Sequence, residues 1–219
     1  MTPAFDSNLA ELTLESLAAG LPGAGAVLRR HQLDCCADAA LPLHAAAGRA
    51  GCNVDEVVAE LARLTAAPPA MPADTDPLIE WILQRFHATH RAELAEIEVE
   101  MQRVEAAHAA HPGLPAGLGR LLRTIAANLE AHMQREEQVL FPIMHAGGHP
   151  MIVHPIGMMR LEHDDHTRHV DELVALTGDF TPPPDACGTW RALYVDLAKL
   201  AADLREHIRV ENEVLFPRF

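Results

Sequence analysis

Aromatic residues make up only 4% of this 219-residue chain, so Leu, Ala, Val and Ile must fill most of any core. Nearly half the residues are hydrophobic, 49%, enough for one large domain or a small one plus a medium one. The abundance of Ala and Leu favours helix over strand. Basic residues are also few: 17 Lys and Arg stand against 31 Asp and Glu, a net charge of −14. A phosphate backbone would be repelled, which excludes nucleic acid as a partner. Part of the acidity is neutralised if carboxylates bind metal cations. No stretch approaches the roughly 20 uninterrupted apolar residues that span a bilayer, and no membrane role is expected. Residues 1–12 carry Asp6 and Glu11 and lack a basic-then-apolar signal pattern, so the chain reads as cytoplasmic. Cysteine is limited to Cys35, Cys36, Cys52 and Cys187, with no Cys-x-x-Cys. In a cytosolic chain this is neither a disulfide framework nor a zinc knuckle. Histidine is the residue in excess, at 14, and in an acidic helical chain that calls first for a metal hypothesis.

The clearest linker is residues 66–77, where Pro68, Pro69, Pro72 and Pro77 cannot continue a helix. It separates a small helical N-terminal domain, 10–65, from a larger one, 78–219. In the small domain Asn53 is a plausible N-cap, with Asp55 and Glu56 suited to a first turn and Val54, Val57, Val58, Leu61 and Leu64 giving one apolar face. Pro22 and Gly23 open another helix towards His31. The large domain shows four long helical patterns. The first runs from Pro77, read as N1 after an Asp76 cap, to about His108. The others cover about 116–140, stopping near Pro142, 156–177, closed by Gly178, and 188–214, stopping at Pro217. Four such helices with short connections predict an all-α fold with an up-down four-helix bundle.

An internal repeat carries the functional argument. His132-Met-Gln-Arg-Glu136-Glu-Gln-Val-Leu-Phe-Pro142 and His207-Ile-Arg-Val-Glu211-Asn-Glu-Val-Leu-Phe-Pro217 share the pattern His-x-x-x-Glu-x-x-Val-Leu-Phe-Pro at a displacement of 75 residues. His87 precedes the first copy by 45 residues and His163 the second by 44. The large domain therefore reads as two copies of one helical hairpin. Residues four apart share a helix face, so His132 with Glu136, and His207 with Glu211, can each serve one site. Pseudo-twofold packing would gather both pairs with His87 and His163 in the bundle core. Four imidazoles and two carboxylates suit a pair of transition ions such as iron or manganese, with bridging glutamates. The absence of thiolate argues against an iron–sulfur cluster at this place. The ferritin-like pattern is Glu-x-x-His and richer in carboxylate, whereas this one is histidine-rich with the order reversed. A lone His-x-x-x-Glu is normally a solvated ion pair worth a few tenths of a kcal/mol, and the duplication alone could preserve a structural pair. The repeated Val-Leu-Phe-Pro reads as core and helix stop.

Of the other histidines, His90 and His166 lie three residues beyond His87 and His163 and are either outer partners of the site, alternative ligands or surface groups. His108 and His111 suit the C-terminal end of a helix dipole. His145, His149 and His154 fall in the Gly/Pro-rich connection between hairpins, as solvated loop residues or an auxiliary site. His31 and His169 have no supporting spacing. Cys35 and Cys36 are adjacent, which makes a mutual disulfide strained. They are read as a redox or metal-transfer pair, or as buried packing. Cys52 and Cys187 are most simply structural.

These residues resemble the haemerythrin-like family, and more closely the di-iron proteins for repair of iron–sulfur clusters. The matching phrases are Arg85-Phe-His87-Ala-Thr-His90-Arg91, His132 to Pro142, Glu162-His163-Asp164, Thr181-Pro-Pro-Pro-Asp-Ala-Cys187 and His207 to Arg218. The segment from Pro22 to Leu64 with Asp34-Cys35-Cys36 is similar to that family's small N-terminal domain. The resemblance implies a non-haem, carboxylate-bridged pair of iron ions held by His87, His132, Glu136, His163, His207 and Glu211. It also implies an acidic residue near the pocket at Glu162, on an iron path, where the bland reading is a surface glutamate. It implies clients among damaged iron–sulfur proteins under nitrosative or oxidative stress, with iron supplied from a labile site, and nitric oxide or oxygen as a small ligand. The nearest alternative is a nitric-oxide-binding protein that scavenges, senses or reduces the gas at the ferrous pair. An oxygen carrier or a metal-free structural bundle are the other classes. Two departures stand out: Ala37-Asp38-Ala39 follow Cys36 where the family has two glycines, and Asn128 occupies a position, one turn before His132, that is acidic in the family.

Overall fold

The computed structural model describes residues 9–219; Asp6, part of the signal-peptide reading, lies outside them. Every element is helical, and among the described residues no helix is long and apolar enough to cross a membrane. The helices are α1 (Leu14–Gly20), α2 (Ala24–Arg30), α3 (Leu43–Ala50), α4 (Val54–Leu64), α5 (Thr75–Ile82), α6 (Thr89–His108), α7 (Leu118–Arg135), α8 (Phe141–His145), α9 (Val153–Thr177) and α10 (Gly188–Val210). Three π-helical segments, Leu83–Ala88, Glu136–Leu140 and Glu211–Leu215, interrupt or extend them. The chain divides into two compact units. The first holds residues 9–67, 99–114 and 180–199, and the second 68–98, 115–179 and 200–219.

In the first unit Leu14, Leu17, Leu28, Leu43, Val57 and Leu61 form a core that includes Ala192 of α10. Asn53 caps α4, its side chain accepting from the Asp55 N–H. Gly23, at φ 81°, opens α2, and its N–H donates to Asp196 at 2.6 Å. The predicted face of α4 is shorter than expected: Val57 and Leu61 are buried, Val54 and Val58 half-buried, and Leu64 is 40% exposed because it falls in the last turn. Glu100 of α6 is buried beside α2, where a Cβ at Gly25 would lie 2.6 Å from its Oε1. Arg29 Nη1 is 3.9 Å away.

The second unit is the four-helix bundle. Leu78, Ile79, Ile82 and Phe86 pack with Phe141, Met144, Val210 and Phe216, and Arg85 closes on Asp203 at 2.6 Å. Two proline readings change, and the third long helix begins earlier than expected. The first helix opens at Thr75 rather than at Pro77. Its first hydrogen bond is from Leu78 N–H to Asp74 O at 3.0 Å, so the N–H that Pro77 lacks would be unpaired in any case. α9 likewise starts at Val153, with Pro155 in its opening turn. Pro142 does not stop the second helix, which continues as α8 to His145. The π segment before it shifts the pairing: Phe141 N–H reaches Glu136 O five residues back, and Phe216 N–H reaches Glu211 O in the same way. A proline next in line then loses less than it would in an unbroken α-helix.

Burial, reinforced by the charge of Asp196, raises Glu100 to about 8. Because this folded value exceeds the ordinary 4.5, the stability contributed by the protonated group is present below about pH 4.5 and lost as pH rises through about 8. Glu100→Gln should therefore exceed wild type in urea stability by on the order of a few kcal/mol near pH 9, with the difference shrinking to nothing below pH 4.5. A pH-independent difference would refute the burial of this charge.

Candidate metal centre

The second unit turns six side chains into one buried cluster. His87 comes from the π segment after α5, His132 from the end of α7, Glu136 from the π segment that follows, and His163 from the middle of α9. His207 lies near the end of α10, and Glu211 opens the last π segment. None is more than 1% exposed. Their donor atoms form two overlapping groups, His87–Glu136–His207–Glu211 and His132–Glu136–His163–Glu211, each with all atoms within 4.8 Å of one another. Both glutamates belong to both groups. Glu136 Oε2 lies 3.3 Å from His87 Nε2 and 3.4 Å from His132 Nε2. Glu211 directs Oε1 to His207 Nε2 at 3.0 Å and Oε2 to His163 Nε2 at 3.1 Å.

The rings are aimed from behind. His87 Nδ1 meets Glu137 Oε1 at 2.8 Å, His132 Nδ1 meets Glu162 Oε2 at 2.8 Å, and His163 Nδ1 meets Asn212 Oδ1 at 3.1 Å. A carboxylate only accepts, so His87 and His132 donate from Nδ1 and leave a lone pair on Nε2, facing inward. Arg91 holds Glu137 at 2.8 Å, and Arg135 holds Glu162 at 2.8 Å. The two phenylalanines of the repeat stack on histidines, Phe141 on His87 with centroids 5.7 Å apart and Phe216 on His163 at 5.8 Å. The Val-Leu-Phe-Pro phrase thus packs against the donor rings as well as filling core.

The residues fit a pair of cations. Both oxygens of Glu136, Oε2 of Glu211 and Nε2 of His87 are buried without a hydrogen-bond partner among the described residues. His132 Nε2 and His163 Nε2 face each other at 3.2 Å, a contact between lone pairs when both rings donate from Nδ1. Burial, with the charge of Glu211, pushes the Glu136 carboxyl well up. Burial would push Glu211 up too, but His207 and His163 overcome it and hold it well below the ordinary range. Burial lowers His87 to about 4 and His132 to about 3, so both imidazoles are neutral and ready to coordinate. Cations between the glutamates would satisfy these atoms together.

Several expectations sharpen. Glu162 is at the cluster, bonded to His132, rather than an isolated surface glutamate. His90 and His166 are buried, which removes their surface reading. His90 lies 5.4 Å from the His207 ring, and His166 lies 5.0 Å from His132 with its nitrogens unpartnered. Asn128 is exposed on α7. His145, His149 and His154 form no donor group: His145 bonds Asp76 at 2.8 Å, His149 accepts from Met151 N–H, and His154 is exposed on α9. His108 and His111 do more than face a helix dipole, since they contact Cys187 and Asp185. Glu137 and Asn212 were not anticipated. They follow the two repeat glutamates at the same position, and that equivalence was the available signal. Cys35 and Cys36 belong to the first unit.

Four helices that enclose a histidine–carboxylate cluster define a cation-binding helical bundle. Residues 78–219 match the family described as Hemerythrin HHE cation binding domain. The chain is 39% identical to the iron-sulfur cluster repair protein YtfE of Musicola paradisiaca, covering 95% of this chain and 96% of that protein. It is 38% identical to proteins of the same name from Citrobacter koseri and Escherichia coli O1:K1, over 94% of each chain. The chain belongs to the haemerythrin HHE cation-binding family, in the branch of these iron–sulfur cluster repair relatives.

The bonds behind the rings make a direct forecast. Glu137→Ala and Glu162→Ala should each weaken cation affinity by roughly 10–100-fold while leaving the helical fold intact, as read by anaerobic ferrous-iron titration against a chelator and by circular dichroism. Unchanged affinity in both variants would show that these carboxylates do not orient the donors.

Proposed function

We propose that this chain is a cytoplasmic iron–sulfur cluster repair protein that holds two iron ions and supplies iron to damaged clusters. The single observation that supports it best is the pair of four-donor groups sharing Glu136 and Glu211. His87 and His207 would serve one ion, His132 and His163 the other, and the two glutamates would bridge. When bound, the pair supplies ferrous–ferric chemistry and a coordination position for a small ligand such as nitric oxide or oxygen. The protein's own part is to keep His87 and His132 neutral by burial and to orient the rings from Glu137, Glu162 and Asn212. It also holds two carboxylates together where water cannot solvate them. Iron as cargo needs a way out. Glu162 contacts a buried donor, His132, on one side and the half-exposed Arg135 on the other, which suits an acid on an exit path. The names of these relatives support clients among iron–sulfur proteins.

The test is metal content after anaerobic purification. Wild type should carry about two irons per chain, as a two-ion bundle site requires. Glu136→Ala and Glu211→Ala should lose most of the iron and part of the thermal stability. The iron-loaded protein should then restore absorbance and activity to an apo cluster protein, and the two variants should not. A wild type without iron, or variants that retain both ions, would end the proposal.

A further inference from the structure

All four cysteines fall in the first unit, and three of them, Cys35, Cys36 and Cys187, separated by up to 152 positions in sequence, gather at one place there. Asp34 Oδ1 caps the turn that carries the adjacent pair, accepting from Cys36 N–H at 2.8 Å and Ala37 N–H at 3.1 Å. Among the described non-glycine residues only Gln32, Asp179 and Phe180 have positive φ, so Ala37 and Asp38 stand without strain where the family has glycines. Cys187 immediately precedes α10. The Thr189 hydroxyl lies 3.2 Å from Cys36 Sγ and 3.7 Å from Cys35 Sγ, and the Cys36 and Cys187 thiols hydrogen-bond to each other. His108 Nε2 sits 3.2 Å from Cys187 Sγ. The close approach is built into the backbone: a Cβ at Gly188 would meet the Cys35 carbonyl oxygen at 2.2 Å. Access is graded, with Cys35 buried, Cys187 half-buried and Cys36 exposed.

The donors converge on one sulfur. Hydrogen bonds from Cys187 and Cys35, then from the hydroxyl and N–H of Thr189, hold Cys36 well below the usual thiol range, while the bond to Cys36 together with burial pushes Cys187 up. One sulfur is thus an accessible thiolate, the next a protonated thiol beside a base. A bond between Cys35 and Cys36 would close a strained ring between chain neighbours. Cys36 and Cys187 are already in contact and have no such constraint.

We propose that Cys36 and Cys187 form a reversible disulfide, with a low-molecular-weight disulfide as oxidant, Cys36 as the attacking sulfur, Cys187 as the resolving sulfur and His108 as its base. In the first step the Cys36 thiolate attacks the small disulfide. One S–S bond breaks, the mixed disulfide forms and a small thiolate leaves. In the second, Cys187 gives its proton to His108 Nε2 and attacks the Cys36 sulfur, expelling the other half as a thiolate, which takes up that proton. Two protein thiols are oxidised and one small disulfide is reduced to two thiols. Excess small thiol reverses both steps. The device is separate from the iron reading and does not depend on it.

The experiment treats full-length protein, as purified with its metal, with glutathione disulfide, blocks residual thiols and maps bonds by non-reducing digestion and mass spectrometry. The expected product is a Cys36–Cys187 linkage, lost on adding dithiothreitol, kept in Cys35→Ser and absent from Cys36→Ser and Cys187→Ser. In Cys187→Ser, Cys36 should accumulate as the glutathione mixed disulfide. His108→Gln should slow resolution roughly a hundredfold near neutral pH, with the deficit shrinking at higher pH, where Cys187 ionises without help; a merely structural role would give a pH-independent loss. A Cys35–Cys36 linkage, an unresolved mixed disulfide in wild type, an unreactive Cys36, or bound zinc that blocks the reaction would each overturn the pairing.

Discussion

Two carboxylates buried side by side are the constraint around which the second unit is arranged. Glu136 and Glu211 are both fully enclosed, and taking a carboxylate out of water costs several kcal/mol unless charge or hydrogen bonds replace the solvent. Here they are replaced only in part. Burial also keeps His87 and His132 neutral, so those two rings offer no positive charge of their own. The cluster is therefore under-compensated as built from protein atoms alone, with opposite pulls on the two glutamates, one driven to keep its proton and the other to lose it. Divalent cations remove that conflict, which is why metal binding and folding stability should be linked in this domain.

The surrounding structure serves to hold that arrangement in place. Each repeat glutamate shares a face with the histidine four residues earlier, as in any α-helix, and then opens a π segment whose wider turn lets the chain continue past a proline. The residue after each glutamate then reaches back to the first histidine of its own hairpin, Glu137 to His87 and Asn212 to His163. Phe141 and Phe216 stack on those same two rings. Ligand, ring support and core packing are thus supplied by one short phrase, used twice.

Much of this was legible in sequence because the signals were redundant. The repeat named all six side chains of the buried cluster, since two copies of His-x-x-x-Glu with matched upstream histidines are hard to explain otherwise, and the helices followed from periodicity and caps such as Asn53 and Gly178. What stayed hidden depends on atoms a linear pattern does not encode. Two of the π segments are marked only by a proline that fails to end a helix, and Leu83–Ala88 carries no compositional mark. The burial of His90 and His166 follows from the rotation of α6 and α9, not from spacing alone. The thiol cluster joins residues 36, 108 and 187, a juxtaposition invisible without tertiary structure, and it turns Cys187 from an isolated cysteine into the neighbour of a pair.

The pseudo-twofold is broken at one informative place. The residue before His163 is Glu162, which hydrogen-bonds His132; the residue before His87 is Phe86, which stacks on His207 with centroids 4.7 Å apart and planes 12° apart. His207 Nδ1 accordingly has no hydrogen-bond partner among the described residues. Each half keeps one imidazole backed by a carboxylate and an arginine, His132 by Glu162 and Arg135 and His87 by Glu137 and Arg91; the halves differ at the other ring, where His163 meets Asn212 and His207 meets only the Phe86 wall. A carboxylate behind a ring raises its basicity and gives water or a leaving cation a polar contact, whereas an aromatic wall offers neither. Two hairpins alike in pattern have thus been given unlike surroundings where Glu162 stands against Phe86. The two halves are therefore inequivalent in the protein's own atoms, His207 alone among the four imidazoles lacking a hydrogen-bond partner at Nδ1 among the described residues.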